Sequence, residues 1–142
     1  MIALGCDHGG LPLMKEIISC LEKEGVEYKN YGTFSESSVD YPEYAKKVAN
    51  AVKEGEARLG ILVCGTGIGI SIAANKVKGI RAALCHDCFS AKAAREHNDA
   101  NILALGARVI GPGLALEIMR IFLNTPFSFE DRHIKRINAI ED

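Results

Sequence analysis

Cys64 closes a continuous apolar run, Leu59-Gly-Ile-Leu-Val-Cys64, and is followed at once by Gly65-Thr66-Gly67-Ile-Gly69 and a stretch of helical character to Asn75. A thiol at such a place has two chemical uses: as a nucleophile, or as a thiolate base that takes a proton from carbon. A phosphatase-type nucleophile needs an arginine six residues after the cysteine to hold phosphate, and position 70 is Ile. The base needs a populated thiolate, although an ordinary cysteine has a pKa of about 8.5. It also needs donors for an enediolate oxygen. The backbone N–H groups from Gly65 to Gly69, at the start of a helix, and the Thr66 hydroxyl can supply them. Alone, Gly-x-Gly-x-Gly is equally a tight turn, and a cysteine ending a strand is equally a small hydrophobe.

Other residues carry weaker signals. Asp7-His8 follows a short apolar run and can move protons between sugar oxygens, or simply cap a helix and face water. Tyr41 either staples the helix capped by Asp40 or offers its hydroxyl to a site. His97-Asn98 falls near a helix end, where a histidine ordinarily complements the dipole. Arg132 and Arg136 lie one helical turn apart with His133 beside them, a fork suited to phosphate as well as an ordinary surface helix. Cys85-His-Asp-Cys88 lacks a second Cys/His pair at ligand spacing, so it reads as two unlinked thiols rather than a metal or redox site. No metal and no cofactor is expected.

The elements that must position these residues alternate. Strands are predicted at 2–6, 26–31, 59–64, 80–85 and 102–105, and helices run between them, with a short charged helix at about 130–140 closing the chain. Such alternation implies right-handed crossovers and a three-layer αβα sandwich around a five-stranded parallel sheet. The expected order is 2-1-3-4-5, with ligands outside the strand carboxyl ends where the chain reverses between strands one and three. The turns Asp7–Gly10 and Cys64–Gly69 flank that crevice. Helix ends lie at the opposite edge, so a catalytic His97 must be donated by a second subunit.

The 142 residues fit one domain, expected to span 1–142. Seventeen basic against eighteen acidic residues leave no electrostatic footprint for nucleic acid or an anionic membrane. There is no leader pattern and no run long enough to span a bilayer, and five cysteines are an odd number for a disulfide framework. A cytoplasmic location is expected.

Together, Gly5-Cys-Asp7-His8-Gly, Asp40-Tyr41-Pro42, Cys64-Gly-Thr66-Gly-Ile-Gly69-Ile-Ser-Ile-Ala-Ala-Asn75-Lys, Gly79-Ile-Arg-Ala, His97-Asn98-Asp-Ala-Asn101, Gly106-Ala-Arg108-Val-Ile-Gly and Arg132-His133-x-x-Arg136 resemble the type B ribose-5-phosphate isomerases and their galactose-6-phosphate isomerase relatives. The resemblance runs from Ile2 to about Ile140. It implies a metal-free aldose–ketose isomerase of the pentose phosphate pathway, interconverting ribose 5-phosphate and ribulose 5-phosphate through a cis-enediol. Cys64 would be the base, with Thr66 and the loop Gly65, Gly67 and Gly69 as anion hole. Asp7 and His97 would open the furanose ring, Asn98 and Tyr41 would hold sugar hydroxyls, and His8, Arg108, Arg132 and Arg136 would bind phosphate. The family's sites form between subunits, which implies a homodimer or a tetramer, with the C-terminal helix completing the site. One branch uses a glutamate where this chain has Ile70, which places the chain in the cysteine branch. Close relatives often carry glycines where this chain has Glu130-Asp131, two carboxylates beside the arginine fork. The alternatives are an isomerase of galactose 6-phosphate or allose 6-phosphate, and a sugar-phosphate-binding module without catalysis.

Overall fold

The computed structural model describes all residues, Met1–Asp142. Three strands are wholly buried: β1 (Ile2–Cys6), β3 (Leu59–Cys64) and β5 (Ile102–Gly106). Two partly open strands of three residues each, β2 (Tyr28–Asn30) and β4 (Ala82–Leu84), form the edges. Six helices intervene or follow: α1 (Leu11–Lys23), α2 (Tyr41–Lys53), α3 (Ile68–Ala74), α4 (Cys88–Asn98), α5 (Pro112–Asn124) and α6 (Asp131–Glu141). Every strand pair is parallel. The α/β class and the five-stranded parallel sheet are as expected.

The strand order is β2-β1-β3-β5-β4, so β5 and not β4 adjoins β3. Residue character explains the exchange. β5 is Ile-Leu-Ala-Leu-Gly, buried throughout, and suits a strand covered on both faces. β4 follows Arg81 and leaves Leu84 exposed, which suits an edge. The reversal between β1 and β3 is unaffected. The exchange sets the turn after β5, with Arg108, directly beside the turn after β3: Ala107 N donates to Cys64 O and Arg108 N to Gly65 O, both at 2.9 Å.

The sheet separates two cores. Ile2, Leu4, Leu59, Ile61, Val63, Leu103 and Leu105 face α1, α4 and α5 through a cluster closed by Phe122 and Met119. On the other face Ala3, Leu62, Cys64, Ile102 and Ala104 meet α2 and α3 through Ala45, Val48, Ala49 and Ile70. A side chain at Gly5 or Gly60 would run into Val48, so α2 lies close on this floor. Period-two alternation therefore points Cys64 toward α2 and α3.

Local signals were partly realised. Asp87 caps α4, accepting from Ser90 N at 2.6 Å. The cap expected of Asp40 is not formed: its side chain makes no cap bond to α2, whose Glu43 pairs with Lys47 at 3.2 Å. The second and fourth strands are shorter than the predicted 26–31 and 80–85 because pairing at a sheet edge frays. No helix is long and apolar enough to cross a membrane.

Candidate active site

The turns after β1, β3 and β5 converge outside the strand carboxyl ends. After β1, Asp7 is 7% exposed and accepts from Gly10 N at 2.9 Å through Oδ1. Gly10 is pressed against the Val63 backbone, where no side chain fits. A side-chain atom placed at Gly9 would lie 3.4 Å from Asp7 Oδ1, 3.5 Å from Arg108 Nη2 and 3.5 Å from Gly65 N. Three turns thus meet within van der Waals reach of one point. His8 accepts Val39 N on Nδ1 at 3.2 Å, which puts its ring proton on Nε2 and ties it to the segment leading into Tyr41.

Within the loop after β3, Gly67 takes a left-handed φ of 77°, and its N–H donates to Cys64 Sγ at 3.1 Å. An amide donor on sulfur stabilises negative charge there. Thr66 Oγ1 accepts from Ile68 N at 3.2 Å. α3 has only seven residues, so individual loop amides, more than a long dipole, supply the positive field. The tyrosine ring of Tyr41 lies over Gly69, in space that any side chain there would need.

The cysteines differ in what their sulfurs do. Cys6 is fully buried, and its thiol donates to Thr33 O; desolvation, then the Asp7 charge, pushes its pKa up to about 12. Burial, then Asp87, pushes Cys85 up to about 11. Cys20 accepts from Arg120 Nη2 at 3.3 Å, but that guanidinium is engaged by Glu24 at 2.7 Å on the outer helices. Cys64, 4% exposed, alone combines an amide donor with a place beside the converging turns. All five are free thiols, Cys85 and Cys88 among them, and no cluster of three or more His, Cys, Asp or Glu has metal-binding geometry.

The remaining expected residues lie at the opposite edge. Asn101 O accepts from Gly60 N near the start of β3, about 13 Å along the strand from Cys64. His97 and Asn98 precede it at the end of α4. His97 stacks on His133 of α6, with ring centroids 4.5 Å apart. Arg132 pairs loosely with Glu130 at 3.5 Å, whereas Arg136 makes no ion pair. Of the two carboxylates at 130 and 131, only Glu130 engages an arginine of the fork, and Arg136 is left free. One chain brings Asp7, His8, Tyr41, Cys64, Thr66, Gly65, Gly67, Gly69 and Arg108 to one edge, and His97, Asn98, Arg132 and Arg136 to the other.

A groove of about 670 Å³ opens at this second edge, lined in part by Asn98, Arg81, Lys78 and Ile140. Two arginines that the sequence did not single out hold it in shape. Arg81 donates to Asn98 O and Asp99 O, both at 2.9 Å, and meets Glu141 at 2.8 Å. Arg95, 7% exposed, donates to Ala100 O at 2.7 Å, Asp99 Oδ1 at 2.8 Å and Thr125 O at 3.1 Å. His133, buried and stacked on His97, was likewise passed over as a neighbour of the arginine fork.

Comparison with known proteins adds a consistent picture. A family model described as Ribose/Galactose Isomerase matches residues 2–140. The chain is 50% identical over 139 residues to ribose-5-phosphate isomerase B of Escherichia coli, covering 98% of this chain and 93% of that protein. It is 47% identical over 128 residues to D-erythrulose-4-phosphate isomerase of Pectobacterium atrosepticum, covering 89% and 84% of the two chains. Among solved structures, ribose-5-phosphate isomerase B of Clostridium thermocellum superimposes with a TM-score of 0.97 at 54% identity, over 99% of this chain and 94% of that one.

Proposed function

The chain belongs to the ribose/galactose isomerase family, and from that membership and the site's geometry we propose that it interconverts ribose 5-phosphate and ribulose 5-phosphate. The observation that carries the reading is the Gly67 amide on Cys64 Sγ at 3.1 Å, beside the turn that holds Asp7. A thiolate there takes the proton from C2 of the open-chain aldose. The electrons move into the C1–C2 bond and onto the carbonyl oxygen, and amides from Gly65 to Gly69 with the Thr66 hydroxyl stabilise the cis-enediolate. Passage of the O2 proton to O1 and reprotonation at C1, as the C2 carbonyl forms, give the ketose. Tyr41 and Asn98 hold hydroxyls, and His8, Arg108, Arg132 and Arg136 hold the phosphate.

The arrangement supports a homodimer. Asp7 and His97 cannot open one sugar ring from opposite edges of a single sheet, but a partner that turns its second edge toward the first brings both to one furanose. The helix Asp131–Glu141 then completes the partner's site. Nothing in this scheme calls for a metal or cofactor, and the five free thiols suit a reducing cytoplasm.

The test is incubation of the purified protein with ribose 5-phosphate in D2O, followed by NMR. Ribulose 5-phosphate carrying solvent deuterium is expected; a sugar that stays unchanged and unlabelled refutes the isomerase. Similarity to an erythrulose-4-phosphate isomerase supports a second reading in which the preferred sugar phosphate has another chain length. The ratio of kcat/KM among four-, five- and six-carbon sugar phosphates separates the two.

A further inference from the structure

His133 stands in the first turn of α6, yet it is only 5% exposed. Its ring lies flat on His97, with planes 16° apart and centroids separated by 4.5 Å. Its Nε2 is buried with no hydrogen-bond partner, and the nearest carboxylate oxygen, Glu130 Oε2, is 3.4 Å away outside bonding geometry. With no partner, that nitrogen does nothing to hold the ring in place, so what His133 presents to His97 is the flat face of its ring. Desolvation, then the charges of His97, Arg132 and Arg136, hold the His133 pKa below the usual histidine value, with Glu130 opposing. The ring is therefore uncharged at neutral pH and can lie against its neighbour without repulsion.

The geometry points to His133 as a positioning residue for His97: the stack fixes the plane of the His97 ring, so that its nitrogen meets the sugar oxygen at which the furanose opens. This rests on the isomerase reading above. In that step a proton leaves O1, the C1–O4 bond breaks with its electron pair going to O4, O4 takes a proton, and the O1 electrons form the C1 carbonyl. Asp7 and His97 are the donor and acceptor. Proton exchange by Cys64 on an open-chain sugar needs neither group. Ribulose 5-phosphate is such a sugar, because its O5 carries the phosphate and cannot close a ring.

Two rates therefore separate the roles. In His133→Ala, kcat from ribose 5-phosphate is expected to fall about tenfold or more, with KM changed by less than about threefold. Deuterium entry at C1 of ribulose 5-phosphate should stay within about twofold of the unsubstituted protein, a retention that also shows the variant is folded. His133→Asn, polar but without a ring, should behave likewise, and His133→Phe, which keeps a flat ring, should restore kcat. Equal losses in turnover and exchange, no loss at all, or a loss that phenylalanine does not restore each overturn the assignment. If the unsubstituted protein exchanges no deuterium into ribulose 5-phosphate, the isomerase reading itself fails and takes this one with it.

Discussion

Cys6 and Cys64 end adjacent strands, with Cys6 paired in register to Val63, and their side chains point to opposite faces of the sheet. The first donates its proton to a carbonyl, and the second receives one from an amide. That contrast is the reason to assign the chemistry to Cys64. Its replacement by alanine should lower kcat about 10²- to 10⁴-fold, the usual weight of a general base, and leave the dissociation constant for ribose 5-phosphate within a few-fold. Turnover by NMR and binding by calorimetry check it; a variant retaining more than about a tenth of the activity removes Cys64 from the role. A loop of amides beside Cys64 was legible in the sequence because the glycines follow it at once, but that Gly67 turns its N–H onto the sulfur itself depends on a left-handed φ that the sequence alone did not assign. The Tyr41 ring over Gly69 was not, since nothing local relates the start of α2 to the start of α3.

At the scale of elements, the buried guanidinium of Arg95 joins the end of α4 to the chain leaving α5 and rests on Phe122 at 5.7 Å. Arg95→Ala leaves three acceptors without their donor and opens space beside Phe122. A stability loss of about 2–4 kcal/mol is expected from broken charged hydrogen bonds and lost packing, read as a lower midpoint in urea. The docking of α6 on α4 should also depend on pH. His133 is held neutral in the folded chain by burial first and by His97, Arg132 and Arg136 next. The unfolded chain takes up a proton near pH 6.5, so below that value it binds more protons than the folded one. Stability therefore declines as pH drops through about 6.5 toward the lower folded value, and His133→Phe should flatten the Tm profile between about pH 7.5 and 5.5. Apolar runs located the three central strands of the sheet, because burial on both faces demands them. They did not rank the fourth against the fifth, because the alternation of elements suggests sequential order, whereas the more apolar fifth strand takes the covered place beside β3. The stack of His133 on His97 and the reach of Arg95 to Thr125 were not legible, because each joins segments about thirty residues or more apart.

The whole molecule separates its proposed chemistry by the length of the sheet. That division was legible once helices and strands were seen to alternate, because it follows from which end of each element carries the residue. It makes a quantitative prediction for the dimer. Cys64→Ala and His97→Ala, each inactive alone, should regain about a quarter of the unsubstituted activity when unfolded and refolded together in equal amounts, since half the dimers are mixed and each mixed dimer holds one intact site. A mixture no more active than its components rules out the shared site. The glycine and alanine floor beneath α2 carries a longer consequence. With no slack between that helix and the sheet, the wall that Tyr41 contributes cannot be retreated or advanced by repacking from below. Acceptance of a longer or shorter sugar must then be tuned from the outer rim, at the surface turns and along the neighbouring subunit, while the foundation stays as it is.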